Sequence, residues 1–415
     1  MTRIVFFYLT SFGTSLLGNS ITAIALPLLV LFTTGSPLGA GAVAIAAAVP
    51  AAVAGLLMGS LVDRINRRTA AVLSDLISAA ALLILPIVDL TVGLNLGWFI
   101  AVAVLNSFGD VPGITAREAM LPAVARAAGM DPSRLIGLRE SLAGVSLLVG
   151  PAIAGILVAS LEPVAVMWVT SGIAALAALL TLVVPSGAAT LPGAQQRDSG
   201  SETPGSVFDG LVVIFRTPLL RVVVLLGLAL AVVLAATQGM VIPVHFAFQD
   251  EVGFIGFVLS ALAAGLLVGG GLFAGFGTRI PRRRWFVTGV VVVAVGFVVI
   301  GILGPVWSIF AGAAIVGLGG GCMNAVVGLT FVENVADAQR GKVLGAQNAI
   351  MTLVPSAGIG AAALLIEVGS LHLATTALVL LWIGAATLAL LSPSIRRLGQ
   401  VSSPSASRNS QNSPV

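Results

Sequence analysis

The sequence predicts an all-α polytopic membrane protein with twelve transmembrane helices. Of its 415 residues, 58% are hydrophobic and only 9% are charged, and the mean hydropathy is +1.11. Apolar runs of about 20 residues recur along the chain, which is the length that a helix needs to cross the hydrocarbon layer. Extended backbone finds no hydrogen-bond partners in lipid, and a barrel would alternate apolar and polar residues. An all-helical bundle therefore fits the pattern.

The predicted spans form two groups of six. They cover 5–32, 38–62, 69–89, 94–116, 137–160 and 163–185, then 219–246, 253–277, 285–304, 306–331, 343–366 and 371–391. The chain is thereby divided into an N-terminal six-helix bundle (1–185), a cytoplasmic linker (186–217), a C-terminal six-helix bundle (218–392) and a disordered cytoplasmic tail (393–415). The linker and the tail are polar, which is typical of segments without a packed core.

The basic residues predict the orientation. With both termini in the cytoplasm, all 20 Lys and Arg residues fall on the inside, since basic residues stay on that side during insertion. The outside loops then carry Asp89, Glu162, Asp250, Glu251, Glu367 and His372. The net charge of +4 thus reflects topology in a plasma (inner) membrane, where we expect contact with the lipid bilayer and none with nucleic acid.

Two short motifs recur at equivalent points of the two halves. RINRR at 64–68 follows the second span and matches RIPRR at 279–283, which follows the eighth. RLIG at 134–137 precedes the fifth span and matches KVLG at 342–345 before the eleventh. Because six is even, both halves enter the membrane in the same orientation, so the sequence predicts two parallel six-helix pseudo-repeats.

The loop after the second span carries a family resemblance. Residues 59–68, GSLVDRINRR, resemble the signature loop of the major facilitator superfamily, with Asn66 in place of a glycine. Asparagine tolerates left-handed backbone angles, so we expect the turn to persist. The loop looks particularly like the drug, macrolide and siderophore-exporter branch of 12-helix proton antiporters. The resemblance covers nearly the whole chain and implies the major facilitator fold.

The resemblance also implies a conformational latch between the halves. Asp63 would face the start of the eleventh span near Arg340, and Arg64 or Arg67 would meet Asp110 in the fourth span. The alternative is that the loop only enforces topology while Asp110 neutralises Arg117. The predicted latch residues are Gly59, Asp63, Arg64, Arg67, Arg68, Asp110, Arg117 and Arg340.

The fifth span contains GPAIAG at 150–155, which resembles the antiporter motif of drug exporters. Gly150, Pro151 and Gly155 are its matching positions, and Ala154 replaces one glycine of the motif. A generic membrane-helix kink remains the alternative, because proline bends helices and small neighbours permit close packing.

Acidic residues near the cytoplasmic side are the candidates for proton coupling. Asp75 lies roughly 9 Å inside the third span, where a carboxylate is usually paired or functional. We expect an ion pair with Arg64, Arg67 or Arg139. The candidate proton-coupling residues are Asp75, Asp110, Glu118 and Glu140. Many exporters of the superfamily have an acid in helix one, where this chain has Asn19, so the coupling proton is implied by the resemblance and uniport stays open.

Polar stripes predict a substrate cavity near the midplane, where the halves meet. Residues at helical spacing on the first and eleventh spans, with one from the seventh and one from the tenth, would line it: Ser15, Asn19, Thr22, Gln238, Asn324, Asn348 and Thr352. Hydrogen bonding between helices is the alternative for each residue. The remaining apolar wall would suit hydrophobic or amphipathic substrates.

The combined features predict a secondary exporter of hydrophobic or amphipathic small molecules that works by alternating access. An importer or facilitator of a small metabolite, or a non-transporting sensor or scaffold, remains the alternative. The chain contains no phosphate-binding loop and no Cys/His cluster, so we expect neither an enzyme nor a cofactor or metal site. Glycines at G-x-x-x-G spacing are expected to form contacts within one chain, which favours a functional monomer.

Overall fold

The computed structural model describes residues 3–62, 66–185, 212, 214–277, 279–334 and 337–396. Within these ranges, the side chains of 55–62, 332–334, 337–342, 344–346, 348–349, 352 and 396 are not described. The helices are α1 (Arg3–Thr34), α2 (Pro37–Val62), α3 (Arg67–Thr91), α4 (Leu96–Ala127), α5 (Pro132–Ser160), α6 (Pro163–Val183), α7 (Pro218–Phe248), α8 (Phe254–Phe276), α9 (Arg282–Gly301), α10 (Val306–Asn334), α11 (Asp337–Val368), α12 (Leu371–Leu391) and α13 (Pro393–Arg396).

These helices make the chain a multi-pass membrane protein. Among the described residues, 11 helical segments are long and apolar enough to cross a membrane, and α11 adds the shorter apolar stretch Leu353–Val368. The α1, α4 and α11 helices have 32 residues each, more than the roughly 20 that a perpendicular span requires. The all-α class and the predicted order of elements are confirmed.

The contacts between helices repeat from one half to the other. In the first half, α3 packs on α4 and α6, α1 packs on α5 and α6, and α2 packs on α4. In the second half, α9 packs on α10 and α12, α7 packs on α11 and α12, and α8 packs on α10. The halves meet where α2 packs on α11 and where α5 packs on α8. Since α8 is the counterpart of α2 and α11 that of α5, these two contacts are also equivalent to each other. The architecture is therefore that of the predicted pseudo-repeats.

The two ends of the bundle differ in charge. The connections α1–α2, α5–α6, α7–α8 and α11–α12 lie at one end, which we call the acidic end because Glu162, Asp250, Glu251 and Glu367 belong to it. The opposite end, which we call the basic end, carries Arg67, Arg68, Arg126, Arg134, Arg279 and Arg282–Arg284.

Two local features differ from the prediction: the backbone conformation of Asn66 and the start of the tail. Asn66 does not adopt a left-handed conformation: its φ is −58°, and its side chain caps α3 by accepting a hydrogen bond from the Arg68 backbone N–H at 3.0 Å. The first four residues of the predicted disordered tail form α13, where Ile395 is buried. Residues 186–211 of the linker and 397–415 of the tail lie outside the described residues.

Glycines bring α8 and α10 into backbone contact. A Cβ atom added at Gly265 would lie 2.1 Å from the carbonyl oxygen of Ala314, and one added at Gly317 would lie 2.0 Å from that of Leu262. Such distances leave no room for any side chain, so glycine is required here. These G-x-x-x-G positions pack within the chain, as predicted.

Candidate functional site

Arg117 is the centre of a polar network inside the N-terminal half. Its side chain, on α4, is only 1% exposed and forms an ion pair with Asp75 of α3. Its Nε donates to the Oγ of Ser11, on α1, at 3.2 Å. Its Nη2 donates to the Oγ1 of Thr181, on α6, at 3.3 Å. One guanidinium thus connects four helices, and a buried charge with this many partners is compensated within the protein.

Asp75 is the counter-ion of this buried arginine. Its oxygens accept from Arg117 and, at 3.3 Å, from Ser15 Oγ of α1. The prediction that Asp75 pairs with Arg67 or Arg139 is wrong, because α4 continues ten residues past Arg117 and places that guanidinium inside the bundle. Arg64, the other predicted partner, lies outside the described residues.

Asp110 lies two turns before Arg117 on α4 and has neutral partners. Its carboxylate accepts from Ser78 Oγ at 3.0 Å and from Asn106 Nδ2 at 2.7 Å. In the described state Arg67, one of its predicted partners, instead donates from Nη1 to the Ala119 carbonyl oxygen at 2.8 Å. The alternative, in which Asp110 neutralises Arg117, is wrong, because Asp75 has that role.

Two glycines of α4 set the distance between the acids and their partners. A Cβ added at Gly109 would lie 2.1 Å from Ser78 Oγ, and one added at Gly113 would lie 3.3 Å from Ser74 Cβ. Because neither glycine has a side chain, α3 and α4 approach closely enough for Ser78 to reach Asp110.

A small cavity lies between the two carboxylates. It is lined by Ser15, Gly18, Asn19 and Thr22 of α1, Asp75, Ser78 and Leu82 of α3, Gly109 and Asp110 of α4, and Thr170 and Ala174 of α6. The volume open to the centre of a water-sized sphere is about 10 Å³, close to what a single water molecule requires. The cavity can therefore hold a water but not a drug-sized molecule.

This cavity changes the interpretation of the polar stripe on α1. Ser15, Asn19 and Thr22, which we predicted to line a cavity between the halves, line this cavity within one half, together with residues of α3, α4 and α6. Of the other predicted cavity residues, Gln238 lies in the π-helical turn Thr237–Val241 of α7, and Asn324 is exposed on α10. The side chains of Asn348 and Thr352 lie outside the described part.

The π-helical turn has a local cause. It ends two residues before Pro243, whose ring conflicts with the carbonyl group four residues earlier and whose nitrogen cannot donate a hydrogen bond. The helix accommodates the proline by widening for one turn, and such widened turns are frequent at functional sites.

The latch prediction falls largely outside the described residues. Asp63 and Arg64 are not described, Gly59 lies in α2 without described surroundings, and the Arg340 side chain on α11 is not described. Arg68 donates to the Leu182 carbonyl oxygen of α6. The described arginines of the motif therefore bind carbonyl groups of their own half.

The other two predicted proton-coupling acids, Glu118 and Glu140, form an exposed cluster near the basic end. Arg139 Nη2 lies 2.6 Å from Glu118 Oε1, and Arg139 Nη1 lies 3.4 Å from Glu140 Oε1. The Glu118 and Glu140 side chains are 51% and 62% exposed, so these pairs are screened by solvent. The Arg139 guanidinium also lies 4.9 Å from the Phe12 ring centroid.

The antiporter-like motif lies at the contact between the halves. A Cβ added at Gly256 of α8 would lie 1.8 Å from the Pro151 carbonyl oxygen of α5, and one at Gly155 would lie 2.6 Å from the Gly253 carbonyl oxygen. A Cβ added at Gly150 would lie 2.8 Å from Ser20 of α1. The motif therefore allows backbone contact between α5 and α8 near the acidic end.

A second contact joins the halves at the acidic end. Glu367, at the end of α11, accepts from Ser36 Oγ at 3.3 Å and from the Leu38 backbone N–H at 3.5 Å, at the start of α2. Toward the basic end, a Cβ added at Gly137 of α5 or at Gly271 of α8 would meet nothing within 4 Å. The two halves are thus closed together at the acidic end, while α5 and α8 separate toward the basic end.

Sequence reasoning missed several members of these sites. Ser78 and Thr181 were not singled out, although Ser78 follows Asp75 by three positions and so shares its helical face. The Ser36–Glu367 contact joins residues that are far apart in the chain, and no local pattern signals it.

Comparisons with known proteins identify the family. The profile described as Major Facilitator Superfamily matches residues 8–254 and 228–412. The multidrug efflux pump Tap of Mycolicibacterium fortuitum is 31% identical over 393 residues, which are 93% of this chain and 95% of that protein. The protein of the same name from Mycobacterium tuberculosis (strain ATCC 25618 / H37Rv) is 29% identical and covers 92% of this chain and 91% of its own length.

Solved structures share the fold at low sequence identity. The nucleoside transporter NupG superposes with a TM-score of 0.75 at 16% identity, over 94% of this chain and 98% of that chain. A bacterial homologue of the human lysosomal transporter Spinster, in an inward-facing and unoccupied conformation, gives 0.71 at 12% identity, over 95% and 97% of the two chains. These relatives are transporters, not enzymes. The chain belongs to the Major Facilitator Superfamily.

Proposed function

We propose that this protein exports hydrophobic or amphipathic small molecules across the plasma (inner) membrane in exchange for protons, by alternating access and as a monomer. Its curated relatives are named multidrug efflux pumps and align over nearly their full length. The observation that carries the coupling proposal is a pair of acids around a water-sized cavity: Asp75, which is buried and paired with Arg117, and Asp110, which is half-buried.

We assign the transported proton to Asp110. Protonation of Asp75 would leave Arg117 buried without its counter-ion, which is strongly unfavourable. Protonation of Asp110 removes a half-buried charge inside the fourth span, whose described partners, Ser78 and Asn106, are both neutral. Asp110 can therefore load and unload a proton without breaking the ion pair.

The surroundings of Asp110 suit both of its protonation states. The charged form accepts from Ser78 and Asn106, and the neutral form needs an acceptor for its new O–H group. The hydroxyl of Ser78 can turn to accept it. Asn106 Oδ1 is buried without a hydrogen-bond partner, so rotation of that amide would offer a second acceptor.

Alternating access then follows from the two ends of the molecule. In the described state the halves touch at the acidic end, so the pathway opens toward the basic end, which we place in the cytoplasm along with both termini. A substrate enters from that side, and the acidic end then opens. The substrate leaves there, and Asp110 takes up a proton from the same side. In the opposite state, Asp63, Arg67 and Arg340 would form the latch between the halves.

The test is transport in a host that lacks its own drug pumps. Expression of the chain should lower the accumulation of lipophilic dyes and antibiotics, and an uncoupler should abolish the effect. Asp110→Asn should abolish uncoupler-sensitive export at unchanged membrane abundance, whereas the matched control Glu118→Gln should retain it. Higher accumulation on expression would indicate import, and full export by Asp110→Asn would place the proton elsewhere.

A further inference from the structure

A groove on the outer surface of the C-terminal half is not used by the proposed transport cycle. It lies between α9 and α12 and has a volume of about 360 Å³, against about 10 Å³ for the cavity between the acids. Its floor includes Ala294 and Ala386, whose short side chains leave the depression between taller neighbours. The walls are formed by Val291, Val295, Val298, Ile383 and Leu390.

Along α9, the groove begins about two turns from the basic end, at Val290, and continues to Val299 near the other end of that helix. The α9 helix runs away from the basic end and α12 runs toward it, so Val291 and Leu390 lie at the end of the groove nearer the arginines. From Val290 to Val299 the groove extends about 13 Å along α9, at roughly 1.5 Å per residue. It is long, narrow and lined mainly by apolar side chains, which matches a segment of an acyl chain.

Two arginines lie on the same helical face as the groove. Arg284 precedes Val291 by seven residues and Val295 by eleven, and Arg283 has the same spacing to Val290 and Ala294. These spacings return to one side of a helix. Arg283 and Arg284 are exposed in the first turn of α9, about 10 Å along the axis from the groove.

We propose that this groove binds an anionic phospholipid, with one acyl chain between α9 and α12 and its phosphate against Arg283 and Arg284. Basic residues beside helices on the cytoplasmic side attract anionic headgroups. A zwitterionic lipid could place the same chain in the groove, but it lacks the net charge that two adjacent guanidinium groups select. The site thus combines an apolar slot for the chain with a charged contact for the headgroup.

The test is lipid binding to the full-length protein in detergent. Phosphatidylglycerol and phosphatidylethanolamine with identical acyl chains are added, and retained lipid is counted by native mass spectrometry. We expect more phosphatidylglycerol than phosphatidylethanolamine to be retained. The double variant Arg283→Gln/Arg284→Gln should bind it roughly thirtyfold more weakly, because each arginine near an anionic lipid contributes about a fivefold factor.

Two further variants separate this site from general attraction. Ala294→Trp fills the groove and should lower phosphatidylglycerol retention while both arginines remain. The control Arg126→Gln/Arg134→Gln removes two exposed arginines from the basic end of the other half and should retain the lipid. Equal retention of the two lipids, or equal loss in the control and in the Arg283/Arg284 variant, would overturn the proposal. Inorganic phosphate in excess should not displace the lipid, since the groove holds its chain.

Discussion

The α3–α4 contact and its counterpart α9–α10 have the same place in the two halves but different chemistry. In the first, Arg117 and Asp75 form a buried ion pair. In the second, Gly289 and Gly319 bring the helix backbones together, with added Cβ atoms 2.9 and 2.6 Å from the opposing carbonyl oxygens. Glycine permits close approach in both contacts, through Gly109 in the first, and among the described residues the first contact adds the buried ion pair. The difference places the proposed coupling chemistry in the N-terminal half.

Removal of the arginine should have the largest effect on the N-terminal contact. Arg117→Met leaves Asp75 buried without a counter-ion, which should lower the free energy of unfolding by about 3–5 kcal/mol. Thermal unfolding in detergent measures this effect. The control Arg126→Met, on the exposed end of the same helix, should change stability by less than about 0.5 kcal/mol. A stability loss equal to that control would mean that the ion pair does not hold the bundle.

Overpacking should have the next largest effect, at a contact between the halves made by glycine. Gly256→Leu places a side chain where the Pro151 carbonyl oxygen lies 1.8 Å from a Cβ position. Closure at the acidic end should become less favourable by about 1–3 kcal/mol. This shifts the equilibrium about 5- to 150-fold toward the state open at that end. Distance measurements between spin labels on α5 and α8 report the shift. Gly271→Leu, with nothing within 4 Å of its Cβ position, should leave the distances unchanged.

Asp110→Asn should separate function from stability. The asparagine oxygen can still accept one of the two hydrogen bonds, so the free energy of unfolding should change by about 1 kcal/mol. Proton-driven export in everted vesicles should nevertheless disappear. If Asp110→Asn unfolded as readily as Arg117→Met, the carboxylate would be part of the structural network and the proposed division of roles would fail.

The smallest effect is expected for the exposed acids. Glu140→Gln removes one partner of Arg139 at a side chain that is 62% exposed, and solvent screening limits the loss of stability to about 0.5 kcal/mol. Transport rates should stay at the level of the unchanged protein. A loss of proton coupling in this variant would move the coupling site from the bundle interior to the surface.

Hydrophobic pattern predicted the helices well, but it misplaced the end of α4. The prediction ended that span near Arg117, because a charged residue normally marks the membrane surface. The helix in fact continues to Ala127, since Asp75, Ser11 and Thr181 surround the guanidinium inside the bundle. The helical spacing of Asn106, Asp110 and Arg117 was visible in the sequence, whereas the neighbour that each residue meets was not.

The polar face of α1 shows the same limit. Periodicity placed Ser15, Asn19 and Thr22 on one side of a helix, and they do line one cavity. Knowing which face of α1 is polar did not indicate whether that cavity lies within one half or between the halves. This choice depends on how α1 is rotated against α3 and α6, which is set by packing contacts such as that between Gly18 and Ile173.

The sequence alone determined that the chain is a multi-pass helical membrane protein and a member of its superfamily, because apolar length and short motifs are local properties that lipid constrains strongly. Only the tertiary structure decided which charges pair, which polar face encloses the cavity, and at which end the halves meet. Those outcomes depend on contacts between residues far apart in the chain. One helix rotated by a third of a turn would exchange every partner without altering the hydrophobic pattern.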